Sequence, residues 1–372
     1  MFAGSGGVRT GWRAAVFVAL CVVQLGVVMA LLAIVFSHTG DAALIVSGRY
    51  TPLFIAVNEL ALDSLPADFP AFALVPEART RIEFLAGEAD RWRNATSLKN
   101  GTGLALGHAS GPDHYIDLED LRLYGLPPAT LPPLRYDFAA DIVKARAAHP
   151  ERFQAIDPDN DADHTRELSG FLPWAITENY EKLQSDFSTL AALEKFGGTP
   201  TEIENAKQDV VYVMGVMGHF VGDASQPLHT TMHHHGWIGD NPNHYTTSFG
   251  FHAWIDGGFF RKTGGIEVNR LVAKIHPAEI IPAASDPNGI FHASVTFIVA
   301  ANRLVEPLYR LDQAGKLSDQ GDAGAEGRAF LEAQLVKSGQ LLGDLWLTAW
   351  RTAPEDVFLE RELQRRAAAE LK

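Results

Sequence analysis

The chain is poor in thiols, in positive charge and in alternating β-type patterning. Among its 372 residues there is one cysteine, Cys21. A single thiol closes no intrachain disulfide and builds no thiolate zinc cluster, so a tightly held transition metal must rely on His, Asp and Glu. Cys21 also lies inside an apolar segment, so no disulfide-linked partner is expected. Lys and Arg number 31 against 45 Asp and Glu, a net charge of −14. A chain this acidic has no broad basic face for duplex DNA, though it leaves room for a phosphate substrate held through metal ions. Hydrophobic residues at 47% and charged residues at 20% exclude both a disordered acidic tail and a coiled coil.

The longest apolar run lies near the N-terminus. Ala14 to Phe36 is interrupted only by Gln24 and Gly26, and its 23 residues exceed the ~20 that span a bilayer as a helix. Arg9 and Arg13 precede it, and no Lys or Arg follows until Arg49. The positive-inside rule then places residues 1–13 in the cytoplasm, 14–36 as a transmembrane signal anchor, 37–48 as a linker and 49–372 as an extracytoplasmic, membrane-anchored domain. A cleaved signal peptide is the alternative. Its apolar core is usually ~7–15 residues long, and Val35-Phe36-Ser37-His38 makes a poor cleavage site.

From Arg49 onward helical periodicity dominates. Leu53, Ala56, Val57, Leu60 and Ala61 form one amphipathic stretch. Asp209 to Val221 is apolar almost all round and reads as a buried helix. Phe330 to Trp350 places Leu331, Leu335, Leu342, Leu345, Trp346 and Ala349 at helical spacing. The expected fold is all-α, a mostly helical domain with long loops at Leu126–Pro133 and Gln313–Gly327 and a solvated, charged helix from Pro354. Asp157, Asp159, Asp161 and Asp163 alternate like a calcium loop. Ala162 and Leu168 stand where an EF-hand needs Gly and Glu, which leaves a solvated acidic loop.

Histidine is concentrated in one place. Seven of the 14 (His219, His229, His233, His234, His235, His244 and His252) fall within 34 residues, where even scatter gives about one. His219 and Asp223 are four apart and leave one face of the buried helix. Pro227 then breaks that helix, and His229 follows on the turn. His252 and Asp256 repeat the four-residue spacing. Two His-x-x-x-Asp pairs and a loop His are ligands that zinc accepts. Unpaired polar groups on a buried helix cost about 1–3 kcal/mol each, which a bound metal offsets. The run His233-His234-His235 is read as a polar loop that supports the ligands from behind, with His244 beside it.

The stretch His219-Phe-Val-Gly-Asp223-Ala-Ser-Gln226-Pro227-Leu-His229 resembles the signature of the zinc-dependent single-strand nucleases, the nuclease S-one/P-one family. That family shares a superfamily with bacterial zinc-dependent phospholipase C. Ala89-Asp90-Arg91-Trp92-Arg93 is similar to its early Ala-Asp-x-x-Arg motif. His114-Tyr115-Ile116-Asp117 is similar to its His-aromatic-x-Asp motif, and Phe251-His252-Ala-Trp-Ile-Asp256 to its final His-x-x-x-Asp motif. The resemblance runs from about residue 49 to 350 and implies a phospholipase C/nuclease-like helical domain with metals at the bottom of a cleft. By that resemblance Asp90, His114, His219 and Asp223 hold one zinc, and His229, His252 and Asp256 a second. Arg93 lies beside the scissile phosphate, and Asp117 orients His114 from behind.

In the family a third zinc is held by the amino group of an N-terminal Trp and a nearby His. Here no Trp occurs between residue 13 and Trp92, Pro52 stands where the His is expected, and the only nearby His is His38. The expectation is therefore two zinc ions, with Asp223 serving one rather than bridging to a third.

The chemistry such a set supports is hydrolysis of a phosphate ester. Zinc makes a water nucleophilic near neutral pH. Asp90 takes the proton, and Arg93 helps neutralise the phosphoryl oxygens. The substrate expected first is single-stranded nucleic acid or a nucleotide. Asp256, where the phospholipase branch has Glu, and Arg93, three residues after Asp90, favour it. A phospholipid headgroup is the second reading, favoured by the anchor and the Gly250-Phe251-His252 context. A metal-binding surface protein without turnover is the third.

Overall fold

The computed structural model describes residues 51–94 and 103–370. Among them every regular element is helical and no strand occurs, as the periodicity predicts. The apolar run at 14–36 lies outside the described residues, and no described helix is long and apolar enough to cross a membrane.

The principal helices are α1 (Thr51–Ser64), α2 (Pro76–Leu85), α3 (Glu88–Arg93), α4 (Arg135–Ala148), α5 (Leu172–Phe196), α6 (Pro200–Ser225), α7 (Gly289–Asn302), α8 (Val305–Gln313), α9 (Ala325–Arg351) and α10 (Val357–Glu370). Shorter helical turns between them carry several site residues.

Helix α6 is the central element, and its start is fixed locally. The Thr199 side chain accepts from the Glu202 N–H, the Glu202 carboxylate accepts from the Thr199 N–H at 2.7 Å, and Pro200 occupies the first turn. Its C-terminal half is enclosed, since every residue from Met214 to Thr231 is buried. The expected all-round burial holds only from Met214 onward, because Tyr212 is 37% exposed. Pro227 ends the helix as its missing N–H requires, and the Pro227–Thr230 turn follows.

Packing around α6 depends on close helix approach. The α1 side chain of Asn58 donates to the carbonyls of Ile82 (2.8 Å) and Gly215 (3.0 Å), tying α1, α2 and α6 together. This needs Gly218, where a Cβ would stand 1.7 Å from Asn58 Oδ1. Ala56, Val57, Leu60 and Ala61 of α1 are buried as their spacing predicts, and α9 packs so closely on that helix that a Cβ on Gly339 would stand 2.5 Å from Leu60 Cβ.

The tail is a correction. Instead of ending in solvent, α10 buries Leu363 and docks on the α5–α6 connection, where Arg366 reaches Glu202 at 2.8 Å and the Gly197 carbonyl at 2.9 Å. The hydrogen bond from Arg366, with those from Thr199, brings the Glu202 carboxyl down to about 2. The stretch expected as loop at 313–327 also carries the end of α8, the turn Gly321–Gly324 and the start of α9.

Candidate metal centre

The site is assembled from five helical elements. Helix α6 brings His219 and Asp223, one turn apart. Asp90 lies on α3. His114 closes the short turn Gly111–His114, and His229 lies on the Pro227–Thr230 turn. These last two turns are joined by backbone, with Ile116 N–H donating to the His229 carbonyl at 2.9 Å and Leu118 N–H to that of Thr230. His252 and Asp256 sit on a helix that widens into a π-turn over Trp254–Gly258, made accessible by Gly257 at φ 143°. Such bulges re-aim side chains and are frequent at functional sites.

Two groups result. Asp90, His114 and His219 form one, and His229, His252 and Asp256 the other; within each, one ligand atom per residue lies within 4.8 Å of the rest. The tautomers are set by the backbone. His219 Nδ1 is 2.7 Å from the Ala86 carbonyl, and His229 Nδ1 is 2.7 Å from the His114 carbonyl. Each Nδ1–H therefore donates outward, which turns the bare Nε2 lone pair into the site.

Those lone pairs meet others. His219 Nε2 is 3.2 Å from His114 Nδ1, and His252 Nε2 is 3.0 Å from His229 Nε2. Two donors on one tetrahedral zinc, each at about 2.0–2.1 Å, lie roughly 3.3 Å apart. The carboxylates spread more widely around that value. Asp256 Oδ2 is 2.8 Å from His252 and 3.4 Å from His229, and Asp90 Oδ1 is 3.8 Å from His219. Donor type and spacing in both groups are thus compatible with a bound metal ion.

Asp223 stands between them. Oδ2 is 2.9 Å from His114 Nδ1 and 3.6 Å from His219 Nε2, whereas Oδ1 is 3.5 Å from His229 Nε2. One oxygen of this carboxylate faces each group. The reason is its position in the fold, on the buried last turn of α6 where the 114 and 229 turns converge.

The ionisable groups of the site are shifted by burial and by one another. Burial pushes the Asp223 carboxyl well above its ordinary value despite His219 and Arg93. Burial, with Arg93, His219 and His229 nearby, pushes the His114 ring well below its own. Asp256 is also buried, but His252 and His229 outweigh that and hold its carboxyl well below the usual range. A cation shared by these groups favours ionised carboxylate and neutral imidazole together.

Residues outside the two groups fix their geometry. Phe54 of α1 lies flat on His219, the centroids 3.7 Å apart. Gln226 donates to Asp256 Oδ1 at 2.7 Å. Arg93 bonds Asp90 Oδ1 at 2.7 Å and lines a cleft of about 570 Å³ that also exposes Tyr115, Asp117, Arg166 and His252. Gln226 is legible in the sequence motif. Phe54 is not, because nothing local links it to a histidine so distant in the chain.

Several expected supporting residues stand elsewhere. Asp117 makes no hydrogen bond to His114; it lines the cleft with Oδ1 buried and unpartnered, and burial raises its carboxyl well above the ordinary value. His233 stacks on Trp237 at 3.9 Å and accepts from the Ile238 N–H, which makes it a packing residue. His234 and His235 do line the cleft beside His252. His244 is exposed in a turn at φ 56°, apart from both groups. The acidic stretch 157–163 is not wholly solvated, since Asp161 is buried and accepts from the Arg166 N–H.

On the α1 side, Leu53, Phe54 and Val57 wall Asp223 and leave a cavity of about 20 Å³, the volume of one water. Among the described residues no third group of ligands reaches metal spacing; His38 lies outside them. The chain matches no protein-family model, no curated protein and no solved structure.

Proposed function

We propose that the chain is a zinc-dependent phosphodiesterase. The observation that supports this most is the pair of His/Asp groups meeting at Asp223, with Arg93 beside Asp90 at a shared cleft. The motif resemblance to the single-strand nuclease and phospholipase C superfamily points the same way. Zinc held by these residues would lower the pKa of a water toward neutral and polarise a phosphoryl oxygen.

The protein's own groups do the rest. His114, His219 and Asp90 on one side, and His229, His252 and Asp256 on the other, fix where the phosphate sits. Asp90 accepts a proton at its carboxylate. Arg93, anchored through one nitrogen to Asp90, offers its remaining N–H donors to the phosphoryl oxygens, where developing negative charge is greatest. The acidic net charge is then no obstacle, since Arg93 and the metal-holding groups of the cleft, and not a basic surface, would receive the anion.

Single-stranded nucleic acid or nucleotides are the substrate we favour, with Tyr115 and the 76%-exposed ring of Phe249 on the cleft for base stacking. A phospholipid is the second reading, supported by the same exposed Phe249 together with the apolar run at 14–36. That run, preceded by Arg9 and Arg13, is also our ground for an anchored domain outside the cytoplasm. N-terminal sequencing of membrane-fraction protein tests it, and a mature chain starting after residue 36 rules out the anchor.

The decisive experiment is hydrolysis of bis(p-nitrophenyl) phosphate before and after chelation. Activity lost with the metal and restored by zinc supports the proposal. Stoichiometric metal without turnover leaves a metal-binding protein. Single-stranded DNA against phosphatidylcholine vesicles then separates the two substrates.

A further inference from the structure

Helix α4 is apolar on two opposite sides, and the packing among the described residues uses only one of them. At 3.6 residues per turn Phe138 and Ile142 share a side. Both are buried, and Phe138 stacks on Trp174 with ring centroids 4.4 Å apart. Tyr136, Ala140, Val143 and Ala147 fall on the opposite side, spaced four, three and four residues apart. All four are exposed, Tyr136 by 85% and Val143 by 64%. A helix that is apolar all round is normally enclosed, and an exposed seam with this spacing suits another helix. The helix is also fixed in place, since Arg135 in its first turn donates to Glu178 of α5 at 2.7 Å and to Asp113.

We infer that a second copy of the chain docks on this seam, α4 against α4 in antiparallel, two-fold pairing. The sizes of the residues select that arrangement. With the axis passing between Asp141 and Ile142, Tyr136 of one copy meets Ala147 of the other and Val143 meets Ala140, so each large side chain finds a small one. A parallel pair would set Tyr136 against Tyr136. The charges beside the seam agree with the antiparallel choice. Asp137 and Lys144 lie on one flank, and the pairing brings Asp137 of each copy to Lys144 of the other, twice by symmetry. Lys144 is 74% exposed, and its ion pair with Asp141 of its own helix, at 3.0 Å, leaves it room to meet a second carboxylate. The seam is only about three turns long, shorter than a permanent dimer needs, so the association is reversible. It is independent of the proposed function.

The test is sedimentation equilibrium of the full chain in detergent, from low to high micromolar concentration. The expected result is a reversible monomer–dimer equilibrium. Asp137→Lys and Lys144→Asp each set like charges across the seam and should weaken the dimer about fivefold or more. An equimolar mixture of these two variants restores both opposite-charge pairs and should associate as tightly as the parent. Val143→Glu should leave a monomer. A parent chain that stays monomeric at every concentration overturns the inference and leaves the seam to residues 1–50 or to a different protein. A dimer that none of the variants weakens has its contact elsewhere and overturns it as well. Weakening by both charge variants without recovery in their mixture overturns the antiparallel register. Should a charge variant misfold, oxidative cross-linking of mixed Ala140→Cys and Val143→Cys chains, each also Cys21→Ser, reads the same register, and the absence of a cross-linked pair overturns it.

Discussion

Phe54 lies face to face with His219, ring centroids 3.7 Å apart and planes inclined by 26°, and Gly222 one turn further along α6 leaves the space that the phenyl ring occupies. A residue of α1 thus packs on a histidine of the candidate site. The same ring, with Leu53 and Val57, seals one side of Asp223. Core and site share these atoms, so stability and metal affinity should change together.

Replacing Phe54 by Ala therefore has two expected effects. The buried ring is lost at a cost of about 3–5 kcal/mol, and His219 gains rotamer freedom, lowering zinc affinity. Urea melts with and without zinc should show a larger loss in the zinc-loaded protein. An equal loss in both would show that the ring packs without positioning the ligand.

The histidine-rich loop should divide by residue. His219→Ala and Asp223→Asn are expected to abolish phosphodiester hydrolysis and to lower zinc content, because each removes a group from the centre. His234→Ala should retain most activity. His233→Ala should reduce stability by about 1–2 kcal/mol at unchanged zinc content, through loss of the Trp237 stack and of the acceptor for Ile238 N–H. Zinc analysis beside thermal melts separates these outcomes, and equal zinc loss in all four variants would overturn the assignment.

Gly218→Ala should be costly for its size. The added methyl meets Asn58 Oδ1 at 1.7 Å, and Asn58 cannot withdraw without releasing the Ile82 and Gly215 carbonyls. Overpacking of this kind costs about 1–3 kcal/mol. The expected result is a lowered melting temperature, reversed in part by Asn58→Ser, which shortens the opposing side chain. A Gly218→Ala protein as stable as its parent would mean that α1 and α6 separate more easily than their packing implies.

Acid should weaken the zinc-free protein partly through the cleft wall. Burial, with the neighbouring ring of His235, brings His234 down to about 4, and burial with His252 does the same to His235. Unfolded imidazoles take up protons near pH 6.5. Between about 6.5 and 4 the unfolded state binds more protons, so the contribution of these rings is complete above about 6.5 and is lost as pH falls toward 4. Urea midpoints at pH 7 and 4.5 should diverge less in a His234→Phe, His235→Phe variant than in the parent. An unchanged difference would show that other groups carry the acid sensitivity.

The sequence by itself determined the helical class and most of the His and Asp residues that cluster at the candidate site. A helix advances 3.6 residues per turn, so His219 and Asp223 had to leave one face, and the spacing of Val57, Leu60 and Ala61 had to bury one side of α1. Pro227 had to end α6 and free His229 for a turn. Only the tertiary structure decided which residues meet across large separations: that Phe54 covers His219, that Asp117 misses His114, that His244 faces solvent and that α10 docks through Leu363 and Arg366. The division has a physical origin. Local backbone geometry fixes directions within a few turns of one helix, whereas the partner on the facing element depends on how whole helices pack, and a close approach such as Gly218 against Asn58 is written at both ends of a contact spanning 160 residues. The two oxygens of Asp223 show the limit most clearly. Helical spacing shows that the carboxylate faces the site, but only the convergence of the 114 and 229 turns on the end of α6 gives each oxygen its own side.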